Sequence, residues 1–172
     1  MDYDTESAAL AVIAGPTSPV AIALARQLSA WQFDLLLVSE DEGLDWMTRL
    51  LQSEGRAAEG IKADLRTAVG VSLVHEEIVG RGEQVQVLII GNGLAFARRL
   101  LPLMIRADSG SVLITDDAPI GLERVIAERL RGTSVSVSRL APVTSETDPE
   151  AYASRAIDAM MVAEVQALSR AL

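Results

Sequence analysis

The chain has 172 residues, a formal charge of −9 and no cysteine, a length that suits one domain and falls short of the roughly 250 residues common in larger single α/β domains. With 49% hydrophobic and 23% charged residues its composition is globular, and no apolar run approaches the roughly 20 residues that span a bilayer. The negative balance argues against nucleic acid and anionic membranes as partners, since both need clustered Lys and Arg. The acidic opening Met1-Asp2-Tyr3-Asp4 and the absence of disulfides set the expectation of a cytoplasmic protein.

Residues 8 to 14 (AALAVIA) form a continuous small-apolar run that stops at Gly15, the pattern of a strand buried on both faces of a parallel sheet. Ser18 caps a predicted helix opened by Pro19, whose fixed φ and missing N–H suit the first helical position. A second strand, Leu35 to Val38, leads through Ser39-Glu40-Asp41 to a helix with Leu44, Met47, Leu50 and Leu51 on one face. Gly55 ends that helix. Ile61 to Leu65 is the predicted third strand, followed by a helix lined by Val69, Leu73, Ile78 and Val79 before Gly80 and Gly82.

The fourth strand, Val85 to Ile90, closes on Gly91-Asn92-Gly93, and its helix carries Phe96, Leu100, Leu101, Leu103 and Met104. Ser111 to Thr115 makes a fifth strand and Leu122 to Leu130 a short helix. Ser134 to Leu140 alternates as a sixth strand that stops at Pro142. The final helix, 149–172, presents Ile157, Met160, Met161, Val165, Leu168 and Leu172 as its apolar face. Strict strand and helix alternation implies one right-handed, doubly wound parallel sheet with helices on both faces.

In chain order, Gly15, the strand Phe33 to Val38, Asp64-Leu65, Val87 to Gly93, Leu101-Pro102-Leu103-Met104, Ser109 to Ile114 and Ser134 to Pro142 resemble short-chain dehydrogenases along nearly the whole length. The resemblance implies a shortened Rossmann-like α/β domain spanning 1–172, three layers deep, with about six strands in the order 3-2-1-4-5-6. It implies Asp64 at an adenine ring, with Leu65 beside it, and Gly91, Asn92 and Gly93 against a nicotinamide cofactor. It also implies dimers or tetramers, with a homodimer expected here, although the helices that usually form the interface, the fourth and fifth, read as cut short. Shortened helices should leave apolar sheet surface for a partner or the final helix to cover.

The departures from that family are as informative. Its phosphate turn reads Gly-x-x-x-Gly-x-Gly, whereas the same positions here are Gly15, Pro19 and Ala21. Pro16 and Pro19 each delete an N–H where donors would cradle phosphate, so NAD binding should be weakened. The Thr17 and Ser18 hydroxyls and the helix dipole keep an anion site open. Glu40 and Asp41 would favour the 2′-hydroxyl of NAD over the 2′-phosphate of NADP, or else cap the next helix. The family's Tyr-x-x-x-Lys pair is missing: the one Lys is Lys62, and the residues four beyond Tyr3 and Tyr152 are Ser7 and Ala156. The place of the catalytic Ser falls at Thr115 or Asp116. Two readings follow: a catalytically degenerate relative acting by protein association or by binding a small ligand or nucleotide, and an atypical NAD-dependent oxidoreductase without the Tyr-Lys pair.

Other residues read as structural. His75, the one histidine, lacks the company for a metal site and is expected on the solvated side of the third helix. Asp116-Asp117 is a solvated turn or a cation site, Arg98-Arg99 and Arg106 an exposed helix face, and Trp31 and Trp46 helix-packing residues.

Overall fold

The computed structural model describes residues 9–91 and 93–171. Along them run β1 (Ala9–Ala14), α1 (Pro19–Ala30), β2 (Asp34–Ser39), α2 (Leu44–Ser53), β3 (Ala58–Lys62), α3 (Ala68–Arg81), β4 (Gln84–Ile90), α4 (Leu94–Ala107), β5 (Ser111–Ile114), α5 (Leu122–Arg129), β6 (Ser136–Arg139) and α6 (Pro149–Ala171). The strands form one sheet in the order β3-β2-β1-β4-β5-β6, and every neighbouring pair is parallel. None of the described helices is long and apolar enough to cross a membrane.

Ile13 of β1 lies opposite Leu37 of β2 on one side and Ile89 of β4 on the other. With helices on both faces as well, β1 is buried from Leu10 to Ala14, which is why its sequence is uniformly apolar rather than alternating. The pleat divides the core in two. Val12, Leu36, Leu88 and Val112 point into the cluster under α3, α4 and α5, while Ile13, Leu37, Ile89 and Leu113 meet α1, α2 and α6. Leu88 is fully buried, and its truncation to Ala would cost about 3 kcal/mol in lost transfer and cavity terms.

Two caps match the sequence. Ser18 is the N-cap of α1, its Oγ accepting the Ala21 N–H at 3.1 Å. Gly82 ends α3 at φ 67°, where a side chain would be strained. Gly80 lies inside that helix rather than beyond it.

Other expectations need correction. The third strand is Ala58–Lys62, not Ile61 to Leu65. It is an edge strand pairing with β2 from Leu35 to Ser39, so it needs no long apolar run; Ala63 and Leu65 are instead buried in the loop beyond it. Helix α3 buries Gly70, Val71, Val74 and Ile78, leaving Val69, Leu73 and Val79 exposed. Apolar residues surround this helix on all sides, so hydropathy cannot choose its inner face; close packing at Gly70 does.

Helix α6 is likewise rotated from the expected face. It buries Tyr152, Ala153, Ala156, Ile157 and Met160, while Val165 and Leu168 are exposed; Leu172 lies outside the described residues. Its alanines weigh little in a hydropathy pattern, yet they let α6 approach α1 closely. Trp31 and Trp46 do not pack between helices: they are 54% and 61% exposed. Helix α4 has 14 residues and α5 has 8. Of the two covers expected for the sheet surface, a partner or the final helix, α6 is the one seen against β5 and β6.

Candidate functional site

The chain leaves β1 for β2 and β3 on one side, then returns to β4 on the other. At this reversal the carboxyl ends of β1 and β4 send their loops in opposite directions and open a crevice, where ligands bind in sheets of this type. The crevice has two parts separated by the β1–α1 turn.

That turn is closed from within. The Gly15 N–H donates to the Val38 carbonyl at 3.0 Å, and the Ala21 N–H is taken by Ser18. The Thr17 N–H donates to Asp41 Oδ2 at 2.7 Å, and the Thr17 hydroxyl donates to the same oxygen at 3.3 Å. Pro16 and Pro19 have no N–H, so only Ser18 and Val20 retain donors free of a protein acceptor among residues 15–21. The anion site expected from Thr17 and Ser18 is therefore occupied by the protein's own carboxylate and by the helix cap. Asp41 does not cap α2 with its side chain; Gly43 is the N-cap there.

Beside the turn lies a cleft of about 260 Å³ lined by Gly15, Val38, Glu40, Asp64, Leu65 and Arg66 among others. Arg66 dominates it. Its guanidinium donates to Glu40 at 2.8 Å and to Asp64 at 2.9 Å, while its backbone N–H donates to Asp64 at 2.9 Å. Those hydrogen bonds from Arg66 hold the Asp64 carboxyl below the ordinary carboxylate range. Of the three carboxylates assigned to the nucleoside end, Glu40 and Asp64 are thus paired with Arg66 and Asp41 is held by Thr17.

On the other side is a larger cleft of about 500 Å³. Ile13, Val20, Leu24, Ile89 and Leu140 supply apolar wall, and Thr115, Asp116, Asp117, Thr144 and Tyr152 supply polar groups. The Thr115 hydroxyl donates to Asp117, and Asp116 Oδ2 accepts the Val143 N–H at 3.0 Å, drawing the loop after β5 against the loop after β6. Tyr152, buried in the first turn of α6, donates its hydroxyl to the Ala141 carbonyl at 2.6 Å. Burial, reinforced by the Asp116 charge, raises its pKa.

Gly15, Ser18, Glu40, Asp64, Leu65, Thr115 and Asp116 accordingly converge on the two clefts. Gly91 packs beneath the Thr115–Asp117 pair, where a Cβ would overlap both side chains, and Gly93 is buried between Ile90, Phe96 and Leu65. Neither glycine lines a cleft, and Asn92 lies outside the described residues. Sequence reasoning does not single out Arg66, and it weighs Tyr152 only against the Tyr-x-x-x-Lys spacing. Tyr152 does follow β6 by one short loop, which places the start of α6 at the carboxyl edge by topology alone.

His75 is half-buried on α3; burial and then nearby Arg99 depress its pKa, favouring the neutral ring. Among the described residues no three of His, Cys, Asp and Glu converge as a metal site. Lys62 is exposed at the far end of β3.

Solved structures share this arrangement of strands and helices. A metagenomic short-chain oxidoreductase in complex with NADP superposes with a TM-score of 0.76 at 20% identity, covering 92% of both chains. The chain has the short-chain dehydrogenase/reductase fold. A variant of actinorhodin polyketide ketoreductase with NADPH shares that fold at a TM-score of 0.77 and 15% identity, over 94% of both chains. A short-chain dehydrogenase/reductase from Sinorhizobium meliloti 1021 matches at 0.75 and 16%, covering 94% of this chain and 92% of its own. No family model matches the sequence, and no curated protein matches it.

Proposed function

We propose that this chain is a short-chain dehydrogenase relative that binds a small ligand in the 500 Å³ cleft and does not perform the family's hydride transfer. The contact between Asp41 and the Thr17 N–H carries this reading. A pyrophosphate needs several convergent N–H donors at a helix N-terminus, and here prolines, the Ser18 cap and an internal carboxylate have removed most of them. The absent Tyr-Lys pair supports it from the chemical side, because no side chain in the crevice combines a phenol with a neighbouring ammonium. The test is calorimetry with NAD and NADP, together with oxidation of NADH and NADPH over a panel of carbonyl compounds. Cofactor heats at submillimolar concentration, or turnover abolished by Thr115→Val, would overturn the reading.

The second reading is an atypical NAD-dependent oxidoreductase using Thr115 and Asp116. It draws support from neighbours that hold NADP and NADPH in the same fold. It predicts nicotinamide turnover that fails on Thr115→Val while the variant's fold persists.

For assembly, we propose a homodimer. The exposed Val162, Val165 and Leu168 along the outer part of α6 support it. Sedimentation equilibrium tests it: a strict monomer at high concentration removes the proposal.

A further inference from the structure

Resting on the ligand-binding reading above, we propose that the 500 Å³ cleft selects a small organic amine, an apolar body carrying one ammonium group, over neutral and anionic molecules of the same shape. The volume suits a small ligand, within the range of about 300–1,000 Å³ typical of such sites. Ile13, Val20, Leu24, Ile89 and Leu140 offer apolar wall on one side.

Charge decides the rest. The described lining contains two carboxylates, Asp116 and Asp117, and no Lys, Arg or His. Neither carboxylate forms an ion pair with any described residue. Asp116 is given one described protein donor, the Val143 N–H, and Asp117 one, the Thr115 hydroxyl. A carboxylate has about four acceptor positions, so both keep capacity for a charged donor. The hydroxyls of Ser18, Thr144 and Thr147 lie on the same lining and could take the remaining ammonium protons.

An anion meets the opposite situation. Of the backbone donors at the β1–α1 turn, Thr17 is filled by Asp41, Ala21 is filled by Ser18, and Pro16 and Pro19 have none, which leaves only the Ser18 and Val20 N–H groups to set against the two carboxylates. Removing a carboxylate ligand from water to face Asp116 and Asp117 would cost both hydration and repulsion. An ammonium group replaces its water with those two carboxylates, and the chain's overall charge of −9 draws it in.

The experiment uses three probes that differ only at one end: 2-phenylethylamine, 2-phenylethanol and phenylacetate. Each is titrated into the full chain by calorimetry, with amide shifts of Thr115, Val143 and Tyr152 locating the site. The amine should bind at least tenfold more tightly than the alcohol, with phenylacetate weakest. Asp116→Asn keeps an oxygen for the Val143 N–H and removes the charge, and should weaken the amine about tenfold while leaving the alcohol unchanged. Glu128→Gln, on α5 outside the cleft, removes one charge elsewhere and should leave both unchanged.

Equal affinities for amine and alcohol, tighter phenylacetate, or amine binding indifferent to Asp116→Asn would overturn the assignment while leaving a small-ligand site in place. Failure of all three probes to shift those amides would overturn the cleft as an amine site. Tight NAD binding with hydride transfer would instead overturn the underlying reading, whichever probe wins.

Discussion

The Asp41 carboxylate accepts the Thr17 N–H at 2.7 Å across the mouth of the β1–α1 turn. A negative group from the β2–α2 loop thus occupies the position where the dipole of α1 is most positive, and it ties two separate crossovers together. A hydrogen bond to a charged group contributes about 1.5–3 kcal/mol. Asp41→Ala should lower unfolding stability by about 1–2 kcal/mol in urea, the lower end because the pair is only partly buried. It should also free the Thr17 N–H, so pyrophosphate and NADP should bind the variant several-fold more tightly than the native chain. Unchanged affinity by calorimetry would show that Asp41 is not the block.

Gly70 is required by a close approach. A Cβ on this residue would overlap the Asp64 carbonyl oxygen, which belongs to the backbone and cannot turn aside. Gly70→Ala must push α3 away from the loop that carries Asp64 and Leu65, costing about 2–3 kcal/mol as overpacking. Thermal unfolding should show the loss. A melting point equal to that of the native chain would mean that α3 shifts without penalty.

Tyr152 links the start of α6 to the loop after β6 through its bond to Ala141. Tyr152→Phe keeps the packed ring and should cost about 1 kcal/mol for the lost hydrogen bond. The pH dependence follows from the raised pKa. The unfolded chain releases the phenol proton near its ordinary value of 10.0, whereas the folded chain holds it longer. The contribution is complete below pH 10.0 and is lost as pH climbs through the folded value. Urea midpoints measured from neutral into alkaline solution should fall less in Tyr152→Phe than in the native chain.

Glu54 provides the acid counterpart. Hydrogen bonds from Arg26, with Arg56 adding its own, lower its pKa from 4.5 to about 2. Arg26 also reaches Glu150 at 3.4 Å, so this network joins α1, the end of α2 and α6. A depressed carboxylate stabilises the fold above pH 4.5, and that stabilisation disappears as pH falls toward 2. Water screens the network, so Glu54→Gln should cost no more than about 1 kcal/mol at neutral pH. The variant's stability should fall less steeply between pH 4.5 and 2 than the native chain's, and parallel slopes would contradict the assignment.

Much of the architecture was legible in the chain because local order encodes it. A uniform apolar run marks β1, and the run Val87 to Ile90 marks the buried end of β4, as strands covered on both faces, and Ser18-Pro19 marks the start of α1 whatever lies nearby. The edges were harder to read. Strand β3 is Ala-Glu-Gly-Ile-Lys, where half the surface meets water and the pattern carries little signal. Helices α3 and α6 present apolar or alanine-rich residues on several sides, so their inner faces were set by what they pack against.

The site divides in the same way. The missing Tyr-Lys pair and the two prolines in the turn follow from counting residues, which no fold can alter. Glu40 and Asp41 are neighbours in the chain, yet one side chain pairs with Arg66 and the other closes on Thr17, 24 residues away. Tyr152 and Asp116 meet on one cleft although they belong to different crossovers. The sequence by itself determined the alternation of elements and the absence of the family's acid–base pair, because both are local or compositional. Only the tertiary structure decided that Asp41 closes the β1–α1 turn and that Asp116, Asp117 and Tyr152 share a cavity, because parallel crossovers bring distant loops together at the carboxyl edge of the sheet.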